Sequence, residues 1–211
     1  MLSIRNTLIL CALMAALLLT AGCTQQAPAD TCDTGARGVC PLPSVTVQPQ
    51  TTAVPLESWE RVRLETSMGD ITLALDPDMP ITAGNFLSLV KDGYYDGVIF
   101  HRVMDGFMIQ GGDPTGTGRG GPGYVIPDEF ASTNRNDRGT LAMANSGANT
   151  GGSQFFINLV NNNYLDNKHP VFGKVVDGME VVDAIGKVQT LGKAGNYRPV
   201  QNVTIIRAVL I

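Results

Sequence analysis

Residues 100–113 read FHRVMDGFMIQGGD, two apolar stretches on either side of Asp105 and Gly106. An Asp-Gly pair between apolar stretches is typical of a tight turn and predicts a β-hairpin here. Because side chains alternate along a strand, this hairpin can place Arg102 beside Gln110 on one face. A buried charge is costly unless it is paired, so two interpretations stay open: Arg102 faces water, or it faces a ligand.

The chain on either side continues this pattern of short strands, with two helical segments among them. A helix is predicted from Pro80, with Thr82 as its N-cap and Gly93 just past its end, and a second helix over residues 179–185. Further strands are predicted at residues 59–66, 71–76, 139–144, 154–159, 171–176 and 203–211. Seven or eight short strands with two helices predict a mainly β fold, a closed antiparallel barrel with helical caps.

The N-terminal residues have the pattern of an export signal. Arg5 precedes an apolar run of about twelve residues, 8–19, which is too short for a membrane-spanning helix and right for a signal-peptide core. Small residues then precede Cys23, so residues 1–22 resemble a bacterial lipoprotein signal that is cut before an acylated cysteine. The resemblance implies lipidation of Cys23, and two or more acyl chains give a stable membrane anchor. Plain cleavage and secretion is the alternative.

The same resemblance implies a place in the cell envelope. The residue after the acylated cysteine is Thr24, and by the lipoprotein sorting rule the absence of Asp there favours the outer membrane, facing the periplasm. Residues 23–58 are rich in Pro, Thr, Gln, Ala and Ser, a composition that cannot bury a core and predicts a flexible tether to a domain at residues 59–211. In an oxidising setting, Cys32 and Cys40 either form a disulfide or stay free.

Composition and motifs exclude several function classes. The formal net charge of −4 argues against a nucleic-acid partner, which needs a basic surface. Residues 116–121 fit G-x-G-x-x-G, but prolines flank them where a dinucleotide site needs a strand and a helix, so we interpret them as a flexible loop. His101 and His169 are the two histidines, and residues 59–211 contain neither a cysteine nor G-x-S-x-G. No metal, organic cofactor or nucleophile is therefore expected.

Three long stretches, in order and at family spacing, resemble the cyclophilin family of peptidyl-prolyl cis–trans isomerases. They are residues 100–113, residues 139–159 (GTLAMANSGANTGGSQFFINL) and residues 164–183 (YLDNKHPVFGKVVDGMEVVD). The similarity runs from about Arg61 to Ile211, essentially the whole predicted domain. It implies a closed eight-stranded antiparallel β-barrel capped by two α-helices, in agreement with the strand pattern. It also implies an isomerase that acts on proline-containing, unfolded or partly folded polypeptides.

Rotation about an Xaa–Pro bond breaks no covalent bond, so a site without a nucleophile suits it. The barrier of about 18–20 kcal/mol comes from amide resonance, and a site that holds the twisted amide more tightly than the planar forms lowers it. By the resemblance, Arg102 is the catalytic arginine that donates to the proline nitrogen and the neighbouring carbonyl. Phe107 and Gln110 are implied as further catalytic residues. We expect Gln154 to support Arg102, and His101 to be structural.

The resemblance also implies a groove for the proline ring and the substrate backbone. Its substrate-binding residues are expected to be Met108, Ala144, Asn145, Phe156, Tyr164, Leu165 and His169. Tyr164 departs from the family, in which many members have Trp at this position and use it to contact the drug cyclosporin. Weak cyclosporin binding is therefore expected.

Two other functions compete with the enzyme. A binding module would hold proline-containing segments in the groove, with turnover incidental, whereas a structural envelope lipoprotein would need no groove. The presence of Arg102, Phe107 and Gln110 favours the isomerase, because a pure binder does not need the arginine. The hypothesis is thus a monomeric, lipid-anchored isomerase that assists the folding of exported proteins.

Overall fold

A computed structural model of the chain describes residues 56–211. The predicted signal peptide, the lipidation at Cys23, the Cys32–Cys40 pair and nearly all of the tether lie outside the described residues. Within residues 56–211, no helix is long and apolar enough to cross a membrane.

Eight strands and two helices make up the described part of the chain. The strands are β1 (Arg61–Thr66), β2 (Gly69–Leu75), β3 (Arg102–Met104), β4 (Met108–Gly111), β5 (Thr140–Met143), β6 (Phe155–Asn158), β7 (Val171–Asp177) and β8 (Ile205–Leu210). The helices are α1 (Thr82–Lys91) and α2 (Met179–Gly186), and short 3-10 turns cover Leu56–Ser58, Asn163–Leu165 and Lys193–Gly195. Every predicted strand and helix is present, with ends that differ by a residue or two, as helix and strand ends commonly do.

The eight strands form one antiparallel sheet in the order β3-β4-β6-β5-β7-β2-β1-β8. Its two end strands, β3 and β8, are joined through the segment just before β3. There the Phe100 N–H donates to the Val203 carbonyl over 2.9 Å, and the Ile205 N–H donates to the Val98 carbonyl over 2.8 Å. The prediction of a mainly β, eight-stranded antiparallel barrel is confirmed, and these backbone bonds join its ends in place of a β3–β8 ladder.

The barrel interior is filled by alternate residues of the strands and by one face of each helix. Val62 and Leu64 of β1 are fully buried, as their alternation with charged neighbours predicts. Phe86 on α1 packs its ring against Phe155 of β6, with ring centroids 5.4 Å apart in an edge-to-face arrangement. Val182 on α2 is also fully buried. Helix faces and strand faces thus share one apolar core.

The start of α1 differs from the prediction. Thr82 is not the N-cap: it is the first residue of the helix, and the capping position is Ile81, whose side chain makes no capping bond. The cap comes from Glu129, whose carboxylate accepts the N–H groups of Ile81 and Thr82 over 3.0 and 2.9 Å. A negative charge is favourable at a helix N-terminus, so this distant carboxylate replaces the local cap. The C-terminal end follows the prediction, with Gly93 in the left-handed region just beyond the helix.

Candidate active site

Strands β4, β5 and β6 present one apolar face to the core and a second to the outside of the barrel. Ile109 and Phe155 point inward and belong to the main core. Their neighbours Met108 and Phe156 point the other way and form a separate buried cluster with Ala142. Because the side-chain period of a strand is two, the same short strands build both clusters. This outer cluster forms the base of a possible binding site.

A cavity of about 270 Å³ opens over this outer cluster. Nine of the ten residues predicted for the catalytic and substrate-binding sites line it. They are Arg102, Phe107, Met108, Gln110, Ala144, Asn145, Phe156, Leu165 and His169. Tyr164 does not line the cavity. Tyr164 is 64% exposed, and its ring stacks on Phe107 at the rim, with centroids 6.4 Å apart and planes 16° from parallel.

Arg102 lies on the polar side of this cavity. It faces Gln110 directly in the β3–β4 pairing, as the hairpin prediction required. Its Nη1 donates to the Gln110 Oε1 over 3.3 Å, and its Nη2 contacts the Met104 sulfur at 3.1 Å. The guanidinium carbon lies 6.0 Å from the centre of the Phe107 ring. The buried Arg102 Nε has no hydrogen-bond partner among residues 56–211. Arg102 is thus half-buried and lines the cavity, where its guanidinium can face a ligand.

The apolar side is fixed by ring packing. Phe156 meets the His169 ring edge to face, with centroids 5.4 Å apart. The His169 Nδ1 lies 3.0 Å from the Met143 carbonyl oxygen. Because a carbonyl oxygen only accepts, Nδ1 carries the hydrogen and the ring orientation is set. His169 thus acts as a wall of the pocket.

Asn145 and Gln154 are held by polar contacts next to the cavity. The Asn145 Nδ2 donates to the Lys168 carbonyl over 2.8 Å, which leaves its second N–H for a substrate. Gln154 does not reach Arg102 itself. Its Oε1 accepts from the Gln110 Nε2 over 2.9 Å, so it contacts Arg102 only through Gln110.

A second cavity of about 430 Å³ adjoins the first and shares Gln110, Ala144 and Asn145 with it. Its far wall includes residues 118–122, part of the glycine-rich stretch that the sequence led us to interpret as a flexible loop. That stretch is held by Asp113, whose carboxylate accepts two of its backbone N–H groups, those of Gly118 and Gly120. The sequence analysis did not predict this cavity. An Asp just before a run of Gly and Thr is a recognised signal for a turn in which the carboxylate binds nearby backbone N–H groups, and it could have shown that this loop is ordered.

The lining residues define what the site can do. Arg102 and His169 are the two titratable residues that line the first cavity, and His169 is a wall residue. Within residues 56–211, no three His, Cys, Asp or Glu side chains lie close enough to hold a metal ion. A fixed cation beside an apolar hollow can bind a small ring and polarise the amide next to it. The fold and the cavity are therefore those of a β-barrel protein with a pocket suited to a ring-bearing peptide segment.

Comparison with known proteins identifies the family. Residues 61–210 match the family model described as cyclophilin type peptidyl-prolyl cis-trans isomerase/CLD. Peptidyl-prolyl cis-trans isomerase ppi1 of Schizosaccharomyces pombe is 48% identical over 155 residues, which cover 71% of this chain and 98% of that protein. The chain belongs to the cyclophilin-type peptidyl-prolyl cis–trans isomerases.

Other relatives are larger. Peptidylprolyl isomerase domain and WD repeat-containing protein 1 of Mus musculus is 53% identical over 148 residues, and the match spans 68% of this chain but 23% of that protein. Among solved structures, a cyclophilin-type isomerase of Cryptosporidium parvum superposes with a TM-score of 0.68 at 37% identity, over 72% of this chain and 98% of that one. A second structure of the same protein, in the presence of the dipeptide Ala-Pro, gives a TM-score of 0.67. These relatives are eukaryotic.

Proposed function

We propose that this chain accelerates rotation about Xaa–Pro bonds by binding the proline ring in the 270 Å³ cavity and the twisted amide against Arg102. The observation that carries the proposal is the placement of Arg102 on the polar side of a pocket whose other walls are apolar, with its Nε buried and without a protein partner among the described residues. A guanidinium offers several N–H donors in a rigid plane and keeps its charge at every physiological pH. It can therefore donate to an amide without giving up a proton.

The energetics follow from amide resonance. A planar Xaa–Pro amide delocalises the nitrogen lone pair, and twisting the bond returns that pair to the nitrogen at a cost of about 18–20 kcal/mol. A donor aimed at the twisted nitrogen binds the transition state more strongly than either planar form, and only such a difference accelerates the reaction. Because Arg102 is held by Gln110 before substrate arrives, little reorganisation is needed during the rotation.

The substrates proposed are proline-containing segments of unfolded or partly folded polypeptides. Phe107, Phe156 and Leu165 give the proline ring an apolar hollow, and Gln110 with Asn145 offers polar groups to the neighbouring backbone. The adjoining cavity gives the substrate polypeptide room to continue beyond the proline ring. The related Cryptosporidium parvum protein was solved in the presence of Ala-Pro, which supports proline as the recognised residue.

The test compares the full chain with its Arg102→Ala variant on the isomerisation of a short Ala-Pro peptide. We expect strong acceleration by the wild type and an acceleration at least about a hundredfold smaller in the variant, the scale seen when a donor to a transition state is removed. Arg102→Lys keeps the charge but lacks the planar set of N–H donors, so its acceleration should lie between those of the wild type and Arg102→Ala. Full acceleration by Arg102→Ala would contradict the proposal. Peptide binding without acceleration by the wild type would favour the binding module.

We also propose that the protein works in the cell envelope, anchored through a lipid on Cys23 and facing the periplasm from the outer membrane. Support comes from the apolar run at residues 8–19 and the small residues before Cys23. The eukaryotic relatives lend this part no support. Intact-mass measurement on the membrane fraction tests it: a chain that begins at acylated Cys23 is expected, and a mature chain that begins at unmodified Thr24 or later would refute it.

Cyclosporin is proposed to bind this protein weakly. The ring of Tyr164 stacks on Phe107 at the rim, where many cyclophilins offer a larger indole with an N–H donor. A phenol covers less apolar surface and places its polar group elsewhere, so contacts with the drug are reduced.

A further inference from the structure

The hydrogen bond that holds Arg102 is the end of a longer chain of hydrogen bonds. The Gln110 Oε1 accepts from Arg102, and the Gln110 Nε2 donates to the Gln154 Oε1 over 2.9 Å. The Gln154 Nε2 in turn donates to the Gly120 carbonyl over 2.8 Å. All three bonds point the same way, from the guanidinium toward the glycine-rich stretch. We call Gln110, Gln154 and Gly120 the amide relay.

The far end of the relay is fixed by Asp113. Its carboxylate accepts the backbone N–H groups of Thr115, Gly118 and Gly120 over 2.7, 2.6 and 3.1 Å. The side chain is fully buried. A Cβ on Gly120 would collide with the Asp113 carboxylate, so only glycine fits there. The bond from the Gly120 N–H to Asp113 fixes the position of Gly120, and with it the carbonyl that Gln154 binds.

The carboxylate of Asp113 stays ionised. Burial acts to raise its pKa, but hydrogen bonds from the Thr115 hydroxyl and from the N–H groups of Gly120, Thr115 and Gly118 outweigh burial and hold the pKa well below its ordinary value. An ionised carboxylate only accepts hydrogen bonds. Asp113 therefore keeps its N–H partners, and so the position of Gly120, throughout the physiological pH range.

We infer that Asp113 is a positioning residue for the isomerisation: by fixing the Gly120 carbonyl it orients the amides of Gln154 and Gln110, and through them the guanidinium of Arg102. The inference rests on the proposed role of Arg102. A carbonyl only accepts, so Gln154 must turn its NH₂ toward Gly120 and its oxygen toward Gln110. Gln110 must then present its own oxygen to Arg102. With Gln110 reversed, two donors would face each other and Arg102 would lose its partner.

The experiment measures the isomerisation rate of a saturating, bound Ala-Pro peptide by exchange NMR, together with the peptide Kd. Gln154→Leu and Asp113→Asn are each expected to lower the bound rate about three- to tenfold, the scale of one hydrogen bond, with Kd changed less than about twofold. The double variant should be no slower than the slower single variant, because both changes cut one relay.

The matched control is Glu129→Gln, which also neutralises a carboxylate that accepts two backbone N–H groups, those of Ile81 and Thr82. We expect it to lower Tm and leave the bound rate unchanged. Should Asp113→Asn fail to fold, Gln154→Leu still tests the relay, since the Gln154 amide bonds to Gln110 and Gly120. An unchanged rate in Gln154→Leu or in a folded Asp113→Asn variant, or rate losses that multiply in the double variant, would overturn the inference.

Failure of the relay and failure of the proposed function are distinguishable. If Arg102→Ala loses the bound rate while Gln154→Leu and Asp113→Asn keep it, the relay is wrong and the role of Arg102 stands. If Arg102→Ala keeps the rate, the proposed function fails and the relay fails with it.

Discussion

The inner and outer faces of β4 and β6 are built from alternate residues of the same strands, and they differ in what satisfies them. On the inner face Ile109, Phe155 and Ile157 are fully buried, and their apolar side chains are held by packing. On the outer face Gln110 is held by directed hydrogen bonds at both ends of its amide. Truncation of a buried apolar side chain costs stability, whereas removal of a polar group on the outer face breaks a specific hydrogen bond. The inner face should therefore control stability and the outer face activity, and substitutions can separate them.

The largest effect is expected on the inner face. Phe155→Ala should lower the free energy of unfolding by about 3–5 kcal/mol, because the ring fills the core and lies against Phe86 and Tyr95 at centroid distances of 5.4 and 5.6 Å. Urea unfolding measures this loss. The isomerisation rate per folded molecule should stay within about threefold of the wild type. A far slower rate at temperatures where the variant is folded would show that the faces are not separable.

On the outer face, Phe107→Ala should have the opposite effect: a large loss of activity with little loss of stability. The half-buried ring is a wall of the proline cavity and lies beside Arg102. Removing it should lower kcat/KM about tenfold or more through lost apolar contact with the proline, with a small change in Tm. Peptide turnover and thermal unfolding on one preparation check both statements. A large loss of Tm with normal turnover would mean that Phe107 is a core residue.

His101 is next to Arg102 in the sequence and is buried. Burial lowers the pKa of its imidazole below the ordinary value of 6.5; Asp113 acts to raise this pKa, and Arg102 and Arg198 act to lower it. The unfolded chain therefore binds a proton more readily, so stability is fully present above about pH 6.5 and is lost as the pH falls below it. Tm should fall between pH 7 and pH 5, and less steeply in His101→Gln. Equal slopes in both proteins would contradict this assignment.

The smallest effect on turnover is expected at the rim. Tyr164→Trp should tighten cyclosporin binding about tenfold, the scale of one additional hydrogen bond with extra ring contact, and change peptide turnover far less. Titration calorimetry with the drug measures the cyclosporin affinity. Cyclosporin that already binds the wild type tightly, with an affinity that the substitution leaves unchanged, would refute the proposal of weak binding.

Local patterns predicted a large part of this molecule. The Asp105-Gly106 turn and strand alternation were sufficient to place Arg102 opposite Gln110 and to separate Ile109 from its neighbours. Residues such as Ala144 and Leu165 carry no local signal, and only the resemblance to cyclophilins brought them to the groove.

What the sequence did not predict depends on contacts between distant segments. Glu129 caps α1 from 47 residues away from Thr82, so no local capping rule could find it. The bonds that join the segment before β3 to Val203 and to the first residue of β8 likewise connect distant parts of the chain. The amide relay starts at Gln110 beside Arg102, continues to Gln154 and returns to Gly120, an order that only folding creates.

The central claim is that Arg102 stabilises the twisted amide and contributes little to ground-state binding or to the fold. The most direct test is exchange NMR of a bound Ala-Pro peptide on the wild type and on Arg102→Ala, with Kd and Tm measured on the same samples. The account predicts a bound isomerisation rate at least about a hundredfold lower in the variant, with Kd within about threefold and Tm nearly unchanged. A bound rate that survives the substitution, or a loss explained wholly by Kd, would contradict it.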